Sequence, residues 1–341
     1  MPDSPRLGLT LPLPGIHLAE LRTVLPEAER LGYTDAWTGE ADYGDAFTPL
    51  AVAAGCTERM RLGTGIANTF TRGPATLAVS AFSMADAAPG RFVLGLGSSS
   101  DTIVRDWNGI PFRRPLQQTR EVLRLLREAL SGARVSQTYE TASMNGFRLI
   151  YPPASPIPIY LAAQRGGMLR LAGEIAGGVL LNWLTPDNVV ASVRIVREAA
   201  AAAGRDPDSI EVVCRIFVMV HEDREAAYAA ARRFIAGYLN VPVYRAFHEW
   251  MGNAPLFAPM WERWQAGDRR GALAALSEES VDQVIGVGDA HRVRAFVERY
   301  RANGVDTPVL AFLPPKAALT PAEDLPGQAA ETRAMLRALG Q

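Results

Sequence analysis

Eight short apolar runs, each followed by a helical pattern, recur along the 341 residues, and this alternation constrains the fold more than any other feature. The runs are Arg6–Leu11, Thr34–Thr38, Arg61–Ala67, Arg91–Gly97, Ile157–Ala163, Gly177–Asn182, Ile210–Val220 and Thr307–Phe312. They are continuous rather than alternating in hydrophobicity, as strands of a parallel sheet covered on both sides are. The stretches between them carry helix signals. Residues 17–32 close on Gly32, residues 74–90 open on Pro74 and close on Pro89-Gly90, and residues 115–132 hold leucine and valine on one face up to Gly132. Eight strand–helix units predict a (β/α)8 TIM barrel, with a doubly wound open sheet as the competing topology. Two segments exceed the repeat: residues 136–156, read as irregular, before the fifth strand, and residues 240–279, read as aromatic-rich short helices, before the eighth. Long insertions in barrels serve as lids or binding loops. Neither repeats nor low-complexity linkers divide the chain, so one domain over residues 1–341 is expected.

Composition removes several chemistries. Of 35 basic residues only Lys316 is a lysine, and it lies in the proline-rich "FLPPKAALTP". Schiff-base, pyridoxal and P-loop enzymes need a positioned amine, and the body of the chain has none. His17, His221, His248 and His291 share no ligand spacing, so no metal centre is expected. A net charge of −1 without a basic tract leaves no footprint for nucleic acid or an anionic membrane. With no 18-residue apolar stretch and no leader pattern in the first 30 residues, a cytoplasmic protein is expected. Cys56 and Cys214, far apart and in apolar contexts, read as free thiols.

In such a barrel the site lies at the C-terminal ends of the strands. After the fourth strand, "LGLGSSSD" places Gly95 and Gly97 before Ser98, Ser99 and Ser100, an anion-binding arrangement that a glycine turn with a serine N-cap would equally produce. The fifth strand ends in "AAQRGGMLRLAG", with Arg165 in a second glycine-rich helix entry. Two such loops on neighbouring strands favour a phosphate site. The dinucleotide pattern Gly-x-Gly-x-x-Gly is not met, because Ser100 stands where the third glycine belongs. "GEADYGD" after the second strand offers Glu40, Asp42 and Asp45 as acid, base or acceptor, or as a solvated acidic loop. After the third strand, Gly65 and Ile66 bring no titratable side chain to the mouth, with Asn68 and Thr69 beyond. That surface suits a flat apolar ring, and a β-bulge at Gly65 is the plainer reading. Asn182 and Trp183, with insertion aromatics up to Trp264, are candidate substrate walls.

In order and spacing, these segments resemble the luciferase-like monooxygenase superfamily, and within it the oxidoreductases dependent on the deazaflavin coenzyme F420. The resemblance is carried by "LGYTDAWTGEADYGDAF", "RLGTGIANTFTRGPATLA", "GRFVLGLGSSS", "PIYLAAQRGGMLRLAGEIAGGVLLN" and "VIGVGDAHRVRAFVERYRANGVDTPVL". It implies that Gly65 and Ile66 form a bulge backing the ring, often with a non-prolyl cis peptide, and that Asn68 lies near the ring's polar edge. Gly97, Ser98 and Ser99, with Ala163, Gln164, Arg165, Gly166 and Gly167, would hold the cofactor phosphate. Glu40 stands where many F420 relatives carry a histidine, so their proton-transfer assignments do not carry over, and Glu40 and Asp42 are the candidate proton donors or acceptors. Arg165-Gly166 replaces a common Gly-Pro, and Gly177 a common aspartate. The function implied is hydride transfer between the deazaflavin C5 and a small organic substrate. An FMN-dependent monooxygenase and a non-catalytic flavin-binding protein are the alternatives. Arg72, Arg105, Arg113, Arg114 and Arg165 are candidates for a basic rim meeting the acidic tail of F420. A homodimer with no nucleic-acid or membrane partner is expected.

Overall fold

Eight parallel strands close on themselves in the computed structural model, which describes residues 5–316 and 324–340. The strands are β1 (Gly8–Leu11), β2 (Asp35–Thr38), β3 (Arg61–Thr64), β4 (Phe92–Gly97), β5 (Ile159–Ala162), β6 (Gly178–Asn182), β7 (Glu211–Val220) and β8 (Thr307–Phe312). Each pairs with the next, and β8 returns to β1 through Gly8↔Val309 and Leu9↔Leu310. That closure is the expected TIM barrel and eliminates the open sheet. Every strand falls within one of the eight apolar runs. Around them lie α1 (Leu21–Arg30), α2 (Thr48–Ala54), α3 (Pro74–Ala87), α4 (Pro115–Leu130), α5 (Gly166–Ile175), α6 (Pro186–Ala202), α7 (Ala290–Ala302) and α8 (Leu325–Leu339). Alternate strand residues divide between two cores. Trp37, Val93, Tyr160, Leu180, Val213 and Val309 fill the barrel, whereas Leu9, Leu62, Leu94, Leu161 and Leu181 pack outward against the helices.

Three elements differ from the sequence reading. Residues 136–156 are not wholly irregular, for Val135–Thr138 and Ser143–Phe147 pair as an antiparallel hairpin. Its turn is held by the buried Glu121 of α4, whose Oε2 accepts the N–H groups of Thr141 and Ala142 at 2.7 and 3.1 Å. A long-range carboxylate anchor of this kind leaves no local periodicity. Helix α8 was not anticipated behind its proline-rich approach, much of which lies outside the described residues. In the second insertion, short helices do occupy 240–279, as Pro242–Trp250, Ala254–Gln265 and Arg269–Ala274, followed by Glu278–Asp282. They share a separate core with the preceding helix Arg224–Leu239, including Tyr228, Ile235, Phe257, Trp261 and Val281. A further strand, Ile285–Gly288, pairs with the last four residues of β7. Phe217 pairs with Ile285 on one edge and with Ala311 of β8 on the other, so this strand continues the edge that β6 vacates.

The N-terminal end of the barrel is closed by charge. Arg61 of β3 bonds the Asp35 carboxylate of β2 and donates to both Glu211 oxygens of β7 at 2.7 and 2.6 Å. Thr307 of β8 and Tyr160 of β5 also donate to Glu211. Burial alone would raise the Glu211 carboxyl, but the Arg61 guanidinium outweighs it and holds the group down at about 2. Its ordinary value is 4.5, so the stabilisation is complete above that pH and is lost as pH falls toward about 2. We expect Arg61→Ala to cost about 3 kcal/mol in chemical denaturation, because it leaves the largely buried Glu211 carboxylate without a cation and Asp35 with Arg6 alone. The stability gap between the wild type and Glu211→Gln should narrow as pH is lowered from 4.5 toward 2. A gap constant with pH would remove the carboxylate from this account.

Candidate functional site

At the opposite end, β3 stops at Thr64 because its side chain takes over the ladder. The Thr64 hydroxyl donates to the Gly95 carbonyl at 2.7 Å and accepts the Gly95 N–H at 2.8 Å. The chain then passes through a cis Gly65–Ile66 peptide, as the resemblance implied, and resumes as Ala67–Asn68 beside Leu96 and Gly97 of β4. Gly65 is exposed and Ile66 partly so, which leaves them as bare surface at the mouth. The bareness of β4 has a packing cause. A Cβ on Gly95 would lie 1.8 Å from the Thr64 carbonyl oxygen, and one on Gly97 would lie 3.0 Å from the Ile66 side chain and 3.3 Å from Ala162. The bulge and the two glycines therefore require one another.

Of the three acidic residues after β2, two are already engaged. Glu40 accepts the Asn68 N–H at 3.1 Å with one oxygen and the Arg72 Nε at 2.8 Å with the other. It thus staples the end of β2 to the loop beyond the bulge. Asp45 opens α2 by accepting the N–H groups of Phe47 and Thr48 at 2.8 and 3.0 Å. Burial would raise the Asp45 carboxyl, but its bonds to Thr48 and Phe47 bring it below the usual value. Asp42 stays outside this arrangement, exposed on a turn closed by Ala41 and Gly44.

The two glycine-rich loops emerge side by side, because β4 and β5 pair up to Leu96↔Leu161. Ser99 takes a left-handed conformation, φ 61°, and Ser100 accepts the Ile103 N–H to open a π-helical turn, Thr102–Trp107. Ser98 and Ser99 thus precede a turn whose cap is Ser100. Ala163 is buried, and the Gln164 amide donates to the Asn182 carbonyl at 3.3 Å. Arg165 is the extended N-cap of α5 with its side chain exposed, followed by Gly166 and Gly167 in the first turn. Helix starts leave amide N–H groups unpaired, and here they adjoin the serines. Of the rim arginines, Arg72 pairs with Glu40, Arg105 with Asp101 and Asp106, and Arg114 with Glu140. Arg113 and Arg165 have no carboxylate partner among the described residues.

At this end of the barrel the buried polar atoms without a hydrogen-bond partner include Thr10 Oγ1, Asn68 Nδ2, Asn182 Oδ1, Trp183 Nε1 and Arg215 Nε, and Trp37 Nε1 is another inside the barrel. Buried polar groups are almost always satisfied, so this group marks the mouth as a candidate ligand site. Above them sits an aromatic roof. Trp183, only 1% exposed and with φ 57°, lies 4.2 Å from the Phe217 ring, 5.4 Å from Phe234 and 4.9 Å from Tyr238. It is roof structure more than open wall. Burial pushes the Tyr238 and Tyr244 phenols up, Tyr244 to about 12, with the Arg215 charge opposing. Thr10 and Tyr238 escaped the sequence reading, and Arg215, at a strand end that the reading marks, received no role. Arg215 had a signal, as the one charge within the apolar run "VVCRIFVMV".

Comparisons with known proteins agree with this architecture. The luciferase-like monooxygenase family model matches residues 3–307. A 5,10-methylenetetrahydromethanopterin reductase of Methanolobus tindarius is 33% identical over 61% of this chain, and the match spans 64% of that protein. The coenzyme F420-dependent tetrahydromethanopterin reductase of Methanopyrus kandleri superposes with a TM-score of 0.81 at 24% identity, covering 99% of this chain and 98% of that one. The monooxygenase RslO1 of Streptomyces bottropensis gives 0.69 at 20% identity, covering 98% of each chain. These two structures share the fold at identities too low to carry an activity. Among the described residues, no helix is long and apolar enough to cross a membrane. A closed eight-stranded barrel, a cis Gly65–Ile66 bulge at its mouth and a family match over most of its length place this chain in the luciferase-like monooxygenase family.

Proposed function

We propose that this protein is an F420-dependent oxidoreductase that passes a hydride between the deazaflavin C5 and an organic substrate. The observation that carries the reading is the mouth, where the bare Gly65–Ile66 surface is followed by Asn68, whose side-chain amide nitrogen is buried without a partner. A flat heterocycle with a polar edge would satisfy both features. A sequence relative from Mycobacterium tuberculosis named "Putative coenzyme F420-dependent oxidoreductase", 29% identical over 82% of this chain and 86% of its own length, supports F420 over FMN. When bound, the deazaflavin supplies the hydride chemistry itself, and the protein contributes position and electrostatics.

The chain's own residues divide that work. Gly65 and Ile66 support one ring face, and the free Asn68 amide hydrogens meet the polar edge. Gly97, Ser98 and Ser99, with Ala163, Gln164 and the first turn of α5, receive the phosphate. Arg113 and Arg165, free of carboxylates, meet the acidic tail. Glu40 has both oxygens occupied, so it fixes Asn68 and Arg72 rather than moving a proton directly. Asp42, exposed on its turn, has no hydrogen-bond or ion-pair partner among the described residues and takes no part in holding the cofactor. Asn182 faces the substrate beneath the Trp183 roof.

Calorimetric titration of the purified protein with F420, and separately with FMN, tests the assignment. We expect micromolar or tighter F420 binding and much weaker FMN binding. The reverse order would place the protein on the flavin monooxygenase branch, and binding of neither would remove the site. Glu40→Ala should weaken F420 binding roughly tenfold by releasing Asn68 and Arg72, with Glu40→Gln intermediate because an acceptor remains. Asp42→Asn should leave both affinity and turnover unchanged.

A further inference from the structure

One charge inside the barrel lacks a counter-ion. Asp35 and Glu211 are neutralised by Arg61, with Arg6 adding a second bond to Asp35, and Glu40 is neutralised by Arg72. Arg215 is an inward residue of β7, level with Asn182 of β6 and Val309 of β8. It forms no ion pair among the described residues, and its Nε is buried without a hydrogen-bond acceptor. The guanidinium carbon lies 4.8 Å from the Phe217 ring centroid, so one face rests on the aromatic roof while the N–H edge is left over. The side chain is only partly buried, and a solute can therefore reach it. The phenols of Tyr238 and Tyr244 feel the Arg215 charge, and the carboxylate of Asp42 and the Tyr43 phenol also act on Tyr238, but none of these groups forms an ion pair or hydrogen bond with Arg215 among the described residues. A partly desolvated cation flanked by hydroxyl donors is complementary to an oxyanion.

We propose that Arg215 is the anion-recognition residue of the substrate chamber, and that the substrate carries a carboxylate held by Arg215 beneath the aromatic roof. The inference rests on the proposed function only in treating the barrel mouth as the substrate side. The anion site itself exists whichever cofactor binds. A guanidinium edge bonds both oxygens of a carboxylate, whereas the neutral amide of the same shape offers it one acceptor and a repelling N–H pair. The roof of Trp183, Phe217, Phe234 and Tyr238 favours an acid with an aromatic or alicyclic body.

The test uses the full chain without cofactor, benzoate and benzamide as probes, and the near-isosteric Arg215→Met. Calorimetry should show benzoate binding to the wild type and benzamide not, with benzoate weakened about tenfold or more in Arg215→Met. Since no ion pair is lost, the melting temperature of Arg215→Met should equal or exceed that of the wild type. Its affinity for oxidised and reduced F420 should stay within about threefold of wild type. The proposal is overturned if benzoate fails to bind the wild type, or if Arg215→Met melts lower with benzoate affinity unchanged. It is also overturned if the variant loses reduced F420 and keeps benzoate, because the cation would then serve the anionic ring. Wild-type protein that discriminates benzoate but binds no F420 would sink the oxidoreductase reading and leave the anion site standing.

Discussion

A single guanidinium joins five of the eight strands. Arg61 on β3 reaches Asp35 on β2, Glu211 on β7 and Thr307 on β8, and Glu211 in turn holds Tyr160 of β5. Side chains thus pin the N-terminal end of the barrel across its diameter as well as around its rim. Every charge in that layer is matched, which is the condition under which buried ions can be tolerated. The C-terminal end is the reverse. Its interior holds a cation and several polar atoms without partners, in the same low-dielectric surroundings. One end of the barrel is electrostatically complete, and the other is left incomplete.

The same contrast explains what could be read from the chain. Buried parallel strands leave continuous apolar runs, so all eight were visible, as were helices ending on Gly32 and Gly132. The hairpin Val135–Thr138/Ser143–Phe147 was not, because its residues are mostly exposed and its anchor is Glu121, distant in sequence. Ile285–Gly288 is four residues long and gains its strand character only by pairing with β7. In the site, Gly65, Ile66 and Asn68 were legible because the lack of titratable chains was itself the pattern. The engagement of Glu40 by Asn68 and Arg72 was not, since acidic letters look alike whether solvated or bonded. Arg215 lay within a marked strand end but was given no role, because one charge in a ten-residue strand is easily taken for an outward residue.

The glycines of β4 show two demands converging on one solution. An anion site would prefer exposed backbone there. Packing already forbids a side chain at Gly95, which abuts the Thr64 carbonyl, and leaves little room for one at Gly97 beside Ile66 and Ala162. The bulge at Gly65–Ile66 brings the backbone close enough to need those glycines, and the serines begin only after the close approach ends. Backbone geometry and ligand chemistry are therefore coupled at this strand, and a substitution aimed at one alters the other.

Strand β7 belongs to two bodies at once. Its first half is a barrel stave between β6 and β8, and its last four residues bond to Ile285–Gly288 of the roof insertion. A stave shared in this way acts as a rigid post. The place of the roof insertion over this side of the barrel is thus fixed by a backbone ladder, so exchanging one roof ring for another leaves that anchorage intact.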